Sequence, residues 1–339
     1  MAARCEFRCG VIGYGGAFNM GKAHFSSMIK NRGMVVGGVC ELDAERRGVA
    51  ARDWPEARVY SRVGDMLRHG DMDLITVITP HNTHARLALQ CLDAKVGVVV
   101  EKPMAVSSKE VKAMMALARR RRVMLSTFHN RRWDGDFMLL RDLILKEKII
   151  GRVFRIEAGF NGYSKQSSWW RSDKQISGGA IYDWGAHFTD WILNLVPDDI
   201  DWVSGYQVKN KEWSDYSNED HSEYTLKFRK GCVATLTMSN LAMSSRPKWR
   251  ILGEKGSIEA IEGNVFHVQA LANGRQMEST LQANDSNWDA YYQNVYRHLQ
   301  GRAKLVITPE SGARVIGVLE AANISVLRKG GMPVKPAFR

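Results

Sequence analysis

The sequence has 339 residues, 45% of them hydrophobic and 25% charged, which is room for two globular domains with sizeable cores and an ordinary balance for a soluble protein. The net charge of +12 would suit nucleic acid or an acidic ligand. Its densest run, Arg119-Arg120-Arg121-Arg122, however, ends a predicted helix, where cations complement the dipole, and no basic stripe is interleaved with stacking aromatics, so no nucleic-acid partner is expected.

No apolar run approaches a membrane span, and Met1–Arg8 has no apolar core of a signal peptide. Cys5, Cys9, Cys40, Cys91 and Cys232 lack paired spacing, and their odd number argues against a disulfide framework. The expected setting is the cytoplasm, away from membranes.

The β-prone Cys9–Ile12 runs into Gly13, Gly15, Gly16 and Gly21, followed by a helix predicted from about Lys22 to Lys30. A strand that turns sharply into a helix leaves unpaired N–H groups at the helix start, and these can hold the pyrophosphate of a dinucleotide. The usual motif has two residues between its second and third glycines. Here five separate Gly15 from Gly21, an insertion that includes Phe18 and Asn19 and leaves Met20-Gly21 to start the helix. A glycine-rich turn of this kind also occurs without a ligand. The next strand, Met34–Cys40, ends in Glu41, about twenty residues on, where an acid accepts hydrogen bonds from both ribose hydroxyls of NAD and repels the 2′-phosphate of NADP. Arg46 and Arg47 weaken that preference, so NAD is expected with NADP possible; Asp43 is a second acidic candidate.

Alternation continues through a helix at Ala44–Arg52, a strand at Arg58–Tyr60 and a helix at Val63–Arg68. A buried strand at Leu74–Ile78 is bounded by Thr79-Pro80. A helix at His84–Ala94, a strand at Val96–Val100, a helix at Ser108–Arg121 capped by Ser107, and a strand at Val123–Phe128 follow. This is the pattern of a doubly wound parallel sheet, a Rossmann domain over residues 1–128. Glu101-Lys102-Pro103 directly follows a buried strand and so places Lys102 at its carboxyl end, where open α/β sheets bind ligands. A lysine there suits a proton acceptor from a hydroxyl; alone, the stretch reads first as a surface lysine capping a strand.

Beyond Phe128 the rhythm changes. Helices are predicted at Phe137–Glu147 and Ala180–Leu195, and strands at Val153–Phe160, Trp202–Val208, Ser222–Phe228, Cys232–Ser239, Lys248–Leu252, Ser257–Ile261, Val265–Ala270 and Arg275–Leu281. These imply a large, mostly antiparallel open sheet in a second α/β domain, 129–339. Helices at Trp288–Leu299 and Pro309–Arg328 close the chain, and the last is long enough to pack back on the first domain. The domains are expected to join closely, with the active site at their interface. In Ser177-Gly178-Gly179-Ala180-Ile181-Tyr182-Asp183-Trp184-Gly185-Ala186-His187, Asp183 and His187 share a helix face, with Asp190 nearly on it. Such a pair can orient a hydroxyl and shuttle its proton. Metal binding is the weaker reading, for want of a third ligand, and a helix start with structurally bonded side chains is the plain one. Trp169, Trp170, Trp184, Trp191 and Tyr163 can stack on sugar or fill a core; Arg171 and Lys174 can recognise an anion or face water.

The glycine-rich turn, Thr79-Pro80-His81-Asn82-Thr83-His84, Glu101-Lys102-Pro103, Asn130-Arg131-Arg132, the Gly178–His187 stretch and Ala321-Ala322-Asn323-Ile324-Ser325 together resemble the glucose–fructose oxidoreductase/inositol dehydrogenase family over nearly the whole chain. The resemblance implies hydride transfer between nicotinamide and a sugar, cyclitol or related polyol, in a homodimer or homotetramer. It implies that Lys102 lies near nicotinamide ribose and substrate hydroxyl, that His187 is the acid/base residue, and that Asp183 contacts and orients substrate. Glu101 would sit beside the nicotinamide ribose. Gly13, Gly15, Phe18, Asn19, Met20, Glu41, Arg46, Thr79, Pro80, His84 and Arg131 would complete the cofactor site, and Asn161 and Trp170 the substrate wall. An NAD-recycling glycosidase, lyase or epimerase with transient oxidation is the alternative; a non-catalytic NAD-binding sensor is a distant third.

Overall fold

Strands that are apolar on both faces build the first half of the chain. In a computed structural model that describes residues 6–244, 246–328 and 330–338, Phe7–Ile12 (β1), Met34–Cys40 (β2), Arg58–Tyr60 (β3), Leu74–Val77 (β4), Gly97–Val100 (β5) and Leu125–Thr127 (β6) form a parallel sheet. Its order is β3-β2-β1-β4-β5-β6. Every residue of β4 and β5 is buried, because the crossovers cover both faces. Those crossovers carry Met20–Met28 (α1), Ala44–Asp53 (α2), Val63–His69 (α3), His84–Asp93 (α4) and Ser108–Arg121 (α5). Ser107 caps α5 as expected, its hydroxyl accepting the Glu110 N–H at 3.3 Å. The strand order reverses at β1, which pairs with β2 on one side and β4 on the other. Ligands of doubly wound sheets bind at the carboxyl ends beside such a reversal.

The second half alternates instead. Gly135–Arg141 (α6) runs into a π-helical turn, Asp142–Lys146, within what the sequence presents as one helix. Val153–Asn161 (β7) leads through a short helix, Lys174–Ser177 (α7), to Trp184–Leu195 (α8). Then come Ile200–Val208 (β8), His221–Phe228 (β9), Val233–Ser239 (β10), Trp249–Gly253 (β11), Gly256–Ile261 (β12), Val265–Ala272 (β13) and Arg275–Gln282 (β14). The sheet order is β14-β13-β12-β11-β7-β10-β9-β8, antiparallel throughout except where β7 pairs parallel with β10. In β9, Ser222, Tyr224, Leu226 and Phe228 point into the core and their neighbours do not, and α8 packs on β7 and β10.

The helix predicted over Ala180–Leu195 is broken. Ala180–Tyr182 is a 3-10 turn, Asp183 leaves helical geometry at ψ −91°, and α8 starts at Trp184.

The chain divides into two compact units, one reaching Asn130 and including Asp289–Ala313, the other Arg131–Trp288 with the chain from Arg314. The returning segment holds Ala290–Leu299 (α9), and Pro309–Leu327 (α10) begins in it. Buried hydroxyls tie this return to the parallel sheet: Tyr291 donates to Ser126 Oγ, and Ser126 to Ile307 O, both at 2.8 Å. Among the described residues no helix is long and apolar enough to cross a membrane. Cys9, Cys40, Cys91 and Cys232 are buried free thiols; Cys5 lies outside the described residues.

Candidate active site

The glycine turn leaves β1 at Gly13, whose φ of +96° suits only glycine and whose Cβ would sit 2.1 Å from Ile78 O. Gly15 is the opposite case, since a Cβ there would meet nothing within 4 Å. That is an open cradle, and the start of α1 faces it without a side-chain cap from Asn19. The insertion is taken up by a bend through Phe18, which is exposed, and by Asn19 in the left-handed region (φ 48°), so that α1 begins at Met20. Gly21 gives α1 room to lie on Tyr14, whose ring is 2.3 Å from where its Cβ would be. Open backbone and uncapped helix N–H groups fit a pyrophosphate.

At the end of β2, Glu41 accepts the N–H of Asp43 at 2.9 Å and that of Tyr14 in the glycine turn. Asp43 itself caps α2, accepting from Arg46 N at 2.8 Å. Arg46 Nε donates to Tyr14 O at 2.9 Å, and Arg47 to the carbonyls of Glu41 and Leu42. Both guanidinium groups are thus engaged with backbone carbonyls beside the turn.

Lys102 follows β5 in a tight turn whose Lys102-Pro103 bond is cis. Its N–H donates to Glu101 Oε2 at 2.9 Å, and Glu101 Oε1 lies 3.0 Å from Nε2 of His24 on α1. Burial raises the Glu101 pKa, but the His24 hydrogen bond and charge and the neighbouring lysine outweigh it and hold the carboxyl below its usual range. Thr79 and Pro80 follow β4; Thr83 Oγ1 donates to Thr79 Oγ1, and Thr83 N to Pro80 O. His84 is fully buried, its ring nitrogens each 2.8 Å from a backbone carbonyl, Pro103 O and Thr79 O. It therefore acts within the fold, not as a ring exposed to a cofactor.

In the other unit, Gly179 (φ +117°) passes so close to Glu219 that a Cβ would lie 3.0 Å from its carboxylate, which also accepts the Ile181 N–H. Asn323 of α10 donates to Gly178 O at 3.0 Å. This turn delivers Asp183 to the start of α8, where its carboxylate pairs with Arg171 at 2.9 Å. The Arg171 guanidinium lies 5.4 and 5.0 Å from the rings of Trp169 and Trp170. His187 is one turn further along α8, buried, its ring 5.6 Å from Trp184 and 6.2 Å from Trp191. Asp190 is committed elsewhere, in a buried two-pronged pair with Arg132 (2.8 and 2.6 Å).

A cavity of about 280 Å³ is lined by Asp183, Arg171, Trp169, Trp184, Glu219 and Asp220, among others. Trp170, the sequence-based candidate, lines a neighbouring open depression instead, and Asn161 ends β7 half-buried. Arg131 belongs to this unit, paired with Asp134 at 3.0 Å and 4.8 and 5.1 Å from the rings of Trp184 and Trp288. The sequence reading overlooked Glu219 and Asp220. Their only signal was an acidic pair before a strand, and burial gives it meaning.

Comparison with known proteins agrees with this fold. The profile described as "Oxidoreductase family, NAD-binding Rossmann fold" matches residues 7–129, and that of the "GFO/IDH/MocA C-terminal domain" matches residues 137–259. The scyllo-inositol 2-dehydrogenase (NADP(+)) IolW of Bacillus subtilis is 26% identical over 86% of this chain and 87% of its own length. The myo-inositol 2-dehydrogenase of Thermotoga maritima is 24% identical over 75% of each chain. The fold is shared with the WlbA dehydrogenase of Bordetella pertussis, crystallised with NADH and UDP-GlcNAcA, at TM-score 0.83 and 22% identity over 98% of this chain and 99% of that one. An NAD-binding sheet with its glycine turn and an antiparallel partner unit, matched by both profiles, make this chain a member of the glucose–fructose oxidoreductase/inositol dehydrogenase (GFO/IDH/MocA) family of oxidoreductases.

Proposed function

We propose that the protein transfers hydride between a nicotinamide cofactor and a secondary hydroxyl of a sugar, cyclitol or sugar derivative. The observation that carries this reading is the His24–Glu101 contact. His24 sits on α1, the helix that starts at the glycine turn, and Glu101 adjoins Lys102, so the lysine turn and the dinucleotide turn are joined by one hydrogen bond. The inositol dehydrogenases among the relatives support a polyol as substrate.

The cofactor, when bound, supplies the hydride acceptor. The open space at Gly15 and the N–H groups of α1 would hold its pyrophosphate, and Glu41 its adenosine ribose. NAD is preferred over NADP in this reading, although IolW is named for NADP(+). Glu41 ends β2, and Arg46 and Arg47 donate to backbone carbonyls. Lys102 and His187 are each read as a candidate acid/base group for the proton of the reacting hydroxyl, and Asp183 as a candidate to orient it. The aromatic and acidic lining beside Asp183 fits an apolar sugar face and a rim of hydroxyls.

The test is an absorbance scan of purified protein with NAD or NADP and a panel of sugars, cyclitols and sugar acids. Accumulating NADH with one class, abolished by Lys102→Ala, is the expected result. Turnover undiminished in Lys102→Ala overturns the assignment; so does a panel without any NADH signal from protein that releases NAD on denaturation.

A further inference from the structure

The backbone on both sides of Lys102 is gripped by buried histidines. On one side the chain runs Thr76 Oγ1, Tyr292 OH, His24 and Glu101, with separations of 3.0, 2.7 and 3.0 Å, and ends where Glu101 accepts the Lys102 N–H at 2.9 Å. Burial raises the Tyr292 pKa well above its ordinary value, so its hydroxyl keeps its proton. With Nε2 of His24 protonated, each hydroxyl and ring N–H in the series donates once. The carboxylate that terminates it receives N–H groups at both oxygens. His24 is 1% exposed, and Phe128 packs on its ring at 4.3 Å. On the other side, His84 from α4 bonds Pro103 O. Its second nitrogen bonds Thr79 O, in the turn after β4. Carbonyl oxygens only accept, so whichever His84 ring nitrogen carries hydrogen donates to one of these two turns.

Packing alone does not call for these groups. An apolar side chain would fill either site without the cost of burying polar atoms, and each ring is aimed at a peptide unit next to Lys102. We propose that His24 and His84 are positioning residues, which act through Glu101 and Pro103 to fix where the Lys102 amine stands. Tyr292, from the segment that returns to the parallel sheet, sets the His24 ring. The proposal rests on the reading of Lys102 as the reacting lysine, and its test does not require the substrate.

The experiment measures two properties of the full-length protein, without ligand and with NAD as probe. One is amide exchange of the peptide spanning residues 100–105; the other is the pH profile of Lys102 acetylation by acetic anhydride, read by mass spectrometry. In His24→Leu and Tyr292→Phe, exchange at that peptide should rise about tenfold, as the loss of one buried hydrogen bond gives. Exchange in β1 and β4 should stay as in the wild type. Lys102 acetylation at fixed pH should change about threefold or more, the size that half a unit in proton affinity produces. His24→Gln, which keeps a donor toward Glu101, should recover most of both. His84→Leu should give the same local signature; if it does not fold, Tyr292→Phe and the His24 pair still decide. A wild-type acetylation profile in folded His24→Leu and Tyr292→Phe overturns the proposal, as does exchange that rises uniformly over the sheet. Turnover undiminished in Lys102→Ala would instead overturn the reading of Lys102 and leave the grip on its backbone standing.

Discussion

The lysine turn after β5 and the aspartate turn before α8 solve the same problem in opposite ways. Each must present one charged side chain at the end of an element. At Lys102 the constraint is buried and directed at the backbone, through Glu101, His24 and His84. At Asp183 the constraint falls on the side-chain carboxylate itself, through an ion pair with Arg171 in which both side chains are partly exposed, 23% and 36%. Buried hydrogen bonds and a buried carboxylate are costly to rearrange. A half-exposed ion pair is worth little and exchanges partners readily. The first turn is therefore built to hold a fixed position, and the second to let its carboxylate change partners.

The largest effects should separate chemistry from binding. Lys102→Ala and His187→Ala should each lower kcat by about 10²–10⁴-fold, the range for a lost acid or base, with NAD affinity nearly unchanged by titration. Equal losses of NAD affinity and kcat would return Lys102 to a merely structural role. Next comes Arg132→Ala, which leaves Asp190 buried without its two-pronged partner and should cost about 3–5 kcal/mol in urea unfolding. If Asp190 were instead poised for chemistry beside His187, Asp190→Asn would cost activity and little stability. Glu41→Ala should weaken NAD by about tenfold and narrow its margin over NADP, as removal of a charged hydrogen-bond acceptor predicts.

The pH dependence of stability sharpens the contrast. The folded Glu101 pKa lies below its unfolded value, so its contribution is fully present above the unfolded pKa, about 4.3, and is lost as pH falls through the folded one. Glu101→Gln should therefore be less stable than wild type at neutral pH, with the difference shrinking in acid. A gap that widened in acid would reverse the sign of that linkage.

Much of the first unit was legible because its signals are local. Four consecutive buried residues in β4 and β5, the Ser107 cap and an acid at the end of β2 need only their own sequence neighbours to be recognised. The break at Asp183 was not legible, because the glycine turn before it is shaped by Glu219 and Asn323 from distant elements. Nor was the return of the segment around α9, since Tyr292 meets His24 across 268 residues and Tyr291 meets Ser126 across 165. Asp190 looked like a partner of His187 by helical spacing; Arg132, 58 residues earlier, claims both of its oxygens. Spacing on a helix identifies which residues share a face. It does not say which of them a distant guanidinium has already neutralised.

The smallest effect on stability should fall on the adaptable turn, and it carries the most about specificity. Arg171 is held by the faces of Trp169 and Trp170 as well as by Asp183, and its ion pair is half-exposed, so Arg171→Ala should change unfolding free energy by no more than about 1 kcal/mol. The same substitution removes the charge paired with Asp183 and opens the cavity that both side chains line. KM for neutral polyols should then shift several-fold while kcat holds, and sugar acids in the panel should lose more than neutral sugars, because a guanidinium matches a carboxylate. A fall in kcat equal to the change in kcat/KM would mean that Arg171 works in the transition state. The distinction drawn between a fixed lysine turn and an adaptable aspartate turn would then be wrong at its second half.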